Sequence, residues 1–234
     1  MSVTAFRIGR QIRKLLYRMP IPYFYQVDYI HNFFKFSRWM KTREKELAHS
    51  FAERPELFAY INNEVLGGAA VDYFEFGVSD GSSIRMWLEN NTCPESRFFG
   101  FDTFEGLPEA YINPLYSCPP GTFSTQGRTP DLNDPRVTFI KGLIQDTLPH
   151  FLASHSPSNK LVINVDVDLY TASLFILTTM DKYLQGGAIV LFDEFSVPMH
   201  EFRAFVDYTT AFMKSYTLIA SANDCFARMA VSFT

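Results

Sequence analysis

The sequence predicts an α/β fold: a mostly parallel sheet of seven strands with helices on both faces, a C-terminal antiparallel hairpin, and a helical extension at the N-terminus. Three observations carry this expectation. From Gly68 onward, short apolar and aromatic runs alternate with longer stretches of helical periodicity, the pattern of a parallel sheet wound by crossover helices. The first run, Val71–Phe76, leads into Gly77-Val78-Ser79-Asp80-Gly81-Ser82-Ser83, a glycine turn that opens a helix. The last two runs, Tyr216–Ala220 and Cys225–Ser232, are separated only by Ser221–Asp224, a connection that suits antiparallel neighbours.

Taken in order, the strands are expected at Val71–Phe76, Arg97–Phe101, Val137–Lys141, Leu161–Val165, Ala188–Phe192, Tyr216–Ala220 and Cys225–Ser232. Helices are expected at Glu53–Leu66, Ser82–Asn90, Gln145–His155, Thr171–Leu184 and Pro198–Lys214. In Thr171–Leu184 the residues Ala172, Ile176, Met180 and Tyr183 share a face, and Gly186-Gly187 supplies a C-cap signal. The segment Thr103–Pro135 carries Tyr111, Tyr116 and Phe123 among prolines and glycines. A loop of that length in a compact domain is a lid, a binding loop or disordered, and its aromatics favour a substrate-covering lid.

The chain divides into an arm, residues 1–68, and a ligand-binding domain, residues 69–234. Met1–Glu46 holds ten Lys/Arg against Asp28, Glu44 and Glu46, while the remainder holds 11 basic and 22 acidic residues. Ile8, Ile12, Leu15, Leu16 and Met19 share one helical face, with Arg7, Arg10, Arg13, Lys14 and Arg18 opposite, and Pro20 and Pro22 end the helix. Packing against the body or a second subunit, as in a homodimer or higher homo-oligomer, is the first reading of this arm. Peripheral contact with an anionic membrane is the second. Nucleic acid is the last reading, and no nucleic-acid partner is expected, because the acidic body would repel phosphate. No apolar run reaches the length of a membrane span. The first residues lack an apolar signal region, and Cys93, Cys118 and Cys225 are scattered and odd in number. A cytoplasmic, reducing location is expected.

Site chemistry is expected at the carboxyl ends of the strands. Gly77 and Gly81 let backbone approach a ligand, and Ser82 or Ser83 is the expected N-cap of the following helix. A helix N-terminus after a first parallel strand is where such sheets hold nucleotide-like ligands. The G-x-G-x-x-G dinucleotide pattern fails at Ser79, which argues against an NAD(P)-dependent oxidoreductase. The next strand ends at Asp102, a carboxylate placed to accept ribose hydroxyls. An ordinary βαβ unit with a glycine turn accounts for the same residues. The fourth and fifth strands end in Asp166, Asp168, Asp193 and Glu194. Four converging carboxylates repel one another or take up protons, and a hard divalent cation such as Mg²⁺ relieves that strain. The competing reading has them capping helices or facing water.

Several stretches together resemble the macrocin O-methyltransferase family. They are Phe74-Glu75-Phe76-Gly77-Val78, the run Gly100 to Pro108, Gly121-Thr122-Phe123, the run Lys141 to Pro149, Asp166-Val167-Asp168-Leu169-Tyr170, and Gly186-Gly187 followed by Asp193-Glu194-Phe195. The resemblance implies a Rossmann-like class I methyltransferase sheet and an S-adenosylmethionine-dependent O-methyltransferase. Its acceptor would be a hydroxylated small molecule such as a sugar or another natural product. It implies a cofactor site built from Glu75, Gly77, Ser79, Gly81, Ser82, Ser83, Asp102, Thr103, Phe104, Gly142 and Asp166. It implies Mg²⁺ or another divalent cation on Asp166, Asp193 and Glu194. Asp168, or His200 just after the fifth strand at the same edge, could accept the proton, so Asp166, Asp168 and His200 are the catalytic candidates. Glu194 stands where the family usually has a second Asp. Against this enzyme stands a non-catalytic S-adenosylmethionine-binding or scaffold protein, with the basic arm as its working part.

Overall fold

A computed structural model of the chain describes residues 8, 12–18, 21–113 and 116–234. The expected arm residues Arg7, Arg10, Met19 and Pro20 lie outside that range, as does Pro114.

Helix α1 (Ile21–Arg43) leads to strand β1 (His49–Phe51) and helix α2 (Arg54–Tyr60), which runs on into a π-helical turn at Ile61–Val65. Then β2 (Val71–Phe76), α3 (Ser82–Asn90) and β3 (Arg97–Asp102) form the first crossover unit. A small hairpin, β4 (Tyr111–Ile112) with β5 (Ser117–Cys118), interrupts the long segment before β6 (Val137–Lys141). The remainder is α4 (Ile144–Ser154), β7 (Lys160–Val165), α5 (Tyr170–Thr179), β8 (Ala188–Phe192), α6 (Glu201–Ala211), β9 (Tyr216–Ala222) and β10 (Arg228–Phe233).

The main sheet has the order β1-β9-β10-β8-β7-β2-β3-β6. β10 runs antiparallel to both β8 and β9, and every other pairing is parallel. β2 lies between β3 and β7, so the chain winds outward in both directions from that strand. The crevice at this reversal is where open α/β sheets bind ligands.

The sheet has eight strands where seven are expected. The extra one is β1, supplied by the arm, which pairs His49, Ser50 and Phe51 with Ala220, Ser221 and Ala222. Three residues are too few to show an alternating pattern, and the pairing gives β9 a partner on what would be an open edge.

Residue alternation in β2 explains its place at the centre. All six residues are buried. Phe74 and Phe76 enter the core under α4, α5 and α6, while Val71 and Tyr73 enter the core under α2 and α3. The buried Asp72 is satisfied by a bidentate pair with Arg97 (2.7 and 2.6 Å) and by the backbone N–H groups of Ser158 and Asn159. Phenylalanine fills much of the first core, where Phe151 meets Phe74, Phe99 and Phe101, and Phe205 meets Phe192 and Phe195.

Three local expectations change. Gly81, not Ser82 or Ser83, is the N-cap of α3; it sits at φ +79°, and the Asp80 carboxylate accepts from the Ser82 N–H at 3.0 Å. The left-handed backbone there suits glycine, and the capping is handed to an Asx turn. α5 ends at Thr179, with a 3₁₀ turn at Asp181–Tyr183, so Gly186-Gly187 turns the chain into β8 rather than capping the helix. Cys225 belongs to a 3₁₀ turn between β9 and β10, not to the last strand.

The arm docks on the body through α1. Phe36 packs edge-on against Phe202 at 5.0 Å, and Trp39 meets Phe195 and Phe202 at 5.3 and 5.7 Å. Asp28 pairs with Arg203. By contrast Ile8, Ile12, Leu15 and Leu16, and Val27, Ile30 and Phe34 on α1, are exposed. No helix among the described residues is long and apolar enough to cross a membrane.

Candidate active site

The reversal point opens into a cavity of about 740 Å³. Its lining comes from the turn after β2 (Gly77–Asp80), the end of β3 (Asp102, Thr103), the turn after β7 (Asp166–Leu169), the end of β8 (Asp193, Glu194), and two arginines, Arg54 and Arg228.

Gly77 makes the first of these approaches. It has φ +87°, and a Cβ there would meet the carbonyl oxygen of Asp166 at 1.6 Å. No other residue lets β2 turn this close to β7. Asp102 then organises the turn: one carboxylate oxygen accepts the Val78 and Ser79 N–H groups, both at 2.8 Å, and the other accepts the Phe104 N–H at 2.7 Å. An ionised carboxylate offers about four acceptor positions, so one remains for a ligand hydroxyl.

Of the other expected cofactor residues, Ser79, Ser82, Ser83, Thr103 and Asp166 line the cavity, while Gly81, Phe104 and Gly142 do not. Glu75 is fully buried beneath the floor. The Tyr73 hydroxyl donates to its Oε2 at 2.6 Å and its Oε1 has no partner among the described residues. Burial pushes its carboxyl up to about 8.

At the other end the acidic residues do converge, with arginines between them. Arg228 donates from Nε to Asp193 Oδ1 at 2.7 Å and from Nη2 to Oδ2 at 3.2 Å. Arg54 donates from Nη1 to Asp193 Oδ1 at 3.0 Å and to Asp166 Oδ2 at 3.5 Å. The Tyr111 hydroxyl donates to Glu194 Oε2 at 3.1 Å. Burial and then the charges of Asp193 and Glu75 raise Asp166 well above the usual carboxylate range, against the opposing pull of Arg54. Asp168 has no cationic partner among the described residues. Burial, then Glu194 and Asp193, push its carboxyl up to about 7. Its backbone is left-handed, φ +60°, a conformation that Asp tolerates better than most residues but that still carries strain.

His200 is not brought to the cavity. Its ring stacks on Tyr111 at 4.5 Å, and its Nε2 donates to the Ile112 carbonyl at 3.1 Å. Burial lowers its pKa, so it stands as a neutral buttress of the β4–β5 hairpin. In the segment expected to form a lid, Phe104, Leu107 and Tyr111 are buried, and Leu107, Pro108, Glu109 and Phe123 line the cavity.

The residue set does not fit the expected metal. No group of three His, Cys, Asp or Glu residues among the described residues is arranged to hold a cation. Both oxygens of Asp193 accept from guanidinium groups, and Asp166 shares one of them. A cation bonded to the same oxygens would have to displace those donors.

Arg54 and Arg228 are absent from the residues that the sequence singles out, and Tyr111 is expected only as an aromatic of the long loop. Arg54 is the first residue of α2, whose start is fixed by a capping box between Glu53 and Glu56 and by a proline. The register of β10 against β8, Met229 opposite Phe192, sets Arg228 beside Asp193. That adjacency becomes visible only once the strands are paired.

Residues 52–217 match the model of the macrocin O-methyltransferase (TylF) family. The chain belongs to that family. Solved structures agree on the fold. CalS11, a calicheamicin methyltransferase, is similar with a TM-score of 0.60 at 21% identity over 99% of this chain and 93% of that one. The O-methyltransferase NovP gives 0.58 at 20% identity over 77% and 79%. An O-methyltransferase from Bacillus cereus in complex with SAH gives 0.51 at 13% identity over 87% and 90%. No curated protein matches the chain in sequence. The sheet is therefore that of a class I methyltransferase, with an eighth strand added by the arm. Family membership implies S-adenosylmethionine as methyl donor, and the glycine turn with Asp102 at the end of β3 fits it.

Proposed function

We propose that this protein methylates a hydroxyl of a small-molecule acceptor, a sugar or another natural product, with Asp168 as the proton acceptor. The observation that carries this reading is the position of Asp168. It lines the cavity beyond the carboxyl end of β7, two residues from the floor residue Asp166, and no cationic side chain among the described residues pairs with it.

S-adenosylmethionine, when bound, supplies an electrophilic methyl group for in-line displacement by the acceptor oxygen. The turn at Gly77–Asp80 and the remaining acceptor position of Asp102 hold the nucleoside end of the donor. Asp166, Asp193 and the arginines define the far end, where the acceptor oxygen must lie near attack distance. Asp168 takes the hydroxyl proton as the new bond forms. Its proton affinity suits a general base that works near neutral pH. Pro108, Glu109 and Phe123 line the same cavity and give it an apolar and acidic rim for the acceptor. No step needs a metal ion here.

A sugar acceptor is favoured by the family, and CalS11 is described as a TDP-rhamnose 3'-O-methyltransferase. The test is transfer of a labelled methyl group to a panel of hydroxylated acceptors, nucleotide sugars included. A labelled product that disappears with Asp168→Asn supports the reading. An equal yield from that variant would remove Asp168 from its role.

A further inference from the structure

The two arginines ask for an explanation that helix and sheet stability do not give. Arg54 is at the first position of α2, where a positive charge opposes the helix dipole. Its Nη1 bridges Asp166 and Asp193, its side chain is about one-fifth exposed at 19%, and its Nη2 has no protein partner among the described residues. Arg228 is spent entirely on the protein, with Nε and Nη2 on Asp193 and Nη1 on Asn223 at 2.7 Å. The pair carries the formal charge of one divalent cation, at the carboxylates that the family resemblance assigns to Mg²⁺.

We propose that Arg54, held by Asp166 and Asp193 and braced through Asp193 by Arg228, takes the place of a divalent cation at the acceptor subsite and orients the acceptor oxygen through its free Nη2 edge. This rests on the methyltransferase reading of the cavity. A guanidinium is planar, always charged and directional. It can fix an acceptor hydroxyl, or an anionic group beside it, without the exchange of water that a hard cation requires. Arg228 is a positioning residue in this arrangement. It neutralises Asp193, so that Arg54 is not drawn wholly into the carboxylate pair.

The experiment is a Mn²⁺ titration followed by electron paramagnetic resonance, on the full-length protein with S-adenosylhomocysteine present. The wild type should leave Mn²⁺ free in solution. The Arg54→Met/Arg228→Met variant, shown by circular dichroism to be folded, should gain one bound Mn²⁺ per chain as Asp166 and Asp193 are released. One Mn²⁺ bound to the wild type and lost in Asp193→Asn would overturn the proposal. So would a folded double variant that gains no Mn²⁺, since the arginines would then not be what keeps the cation out. Failure of the methyltransferase reading is distinguishable: S-adenosylhomocysteine would not bind the wild type, whatever the Mn²⁺ result.

Discussion

Arg228 grips Asp193 with two parallel hydrogen bonds, 2.7 Å from Nε to Oδ1 and 3.2 Å from Nη2 to Oδ2, across the β8–β10 boundary. The pair ties the C-terminal hairpin to the acidic end of the site. Arg228→Met leaves Asp193 with only Arg54. The variant should lose roughly 1–3 kcal/mol of stability, the range for a broken charge-assisted bond, read by urea denaturation. Its affinity for S-adenosylhomocysteine should stay within about twofold of wild type, a factor worth only ~0.4 kcal/mol.

Asp102 has two duties, shaping the turn through three amide bonds and facing the cavity. Asp102→Ala removes both. It should weaken S-adenosylhomocysteine binding by at least about tenfold, the equivalent of ~1.4 kcal/mol. Asp102→Asn keeps one carbonyl oxygen as acceptor and should fall between the two in calorimetric affinity.

The pH dependence of turnover follows from Asp168. A base must be ionised to accept a proton, so kcat/KM should fall as pH drops through about 7, the value to which its surroundings raise it. Asp168→Asn should remove that limb of the profile and lower kcat by about 10²–10⁴-fold. An unchanged acidic limb would assign it to another group.

Glu75 gives an independent test on stability. Its folded-state carboxyl stands at about 8, against an ordinary 4.5. Between those values the folded protein holds a proton that the unfolded chain has lost, so this group's contribution to stability falls as pH rises from 4.5 to 8. Glu75→Gln keeps the shape without the charge. It should be more stable than wild type at pH 9, by on the order of 2–4 kcal/mol, with the gap closing toward pH 5. Thermal unfolding at the two pH values measures it.

The sheet was legible because β2, β3, β7 and β8 are apolar runs bounded by Gly and Asp, and the reversal at β2 follows from their order. β1 was not, because His49-Ser50-Phe51 is too short to show a period. Asp102, Asp166, Asp168, Asp193 and Glu194 could be found as carboxylates at strand ends. Their cationic partners could not, since Arg54 lies 112 residues from Asp166 and Arg228 lies 35 from Asp193. Four acids on neighbouring strands implied a missing positive charge, and a metal is the answer that sequence proximity suggests. The charge present comes instead from a helix start and a distant strand. His200 misled in the same way, being close to β8 in sequence but turned into the wall with Tyr111.

Which ligand the wild-type protein binds decides whether the cavity is a methyl-donor site. Isothermal titration with S-adenosylhomocysteine and, separately, with NADH compares the methyl-donor and dinucleotide readings of the same glycine turn. One S-adenosylhomocysteine bound per chain, with no heat from NADH, is the expected result. Binding of NADH without binding of S-adenosylhomocysteine would contradict it.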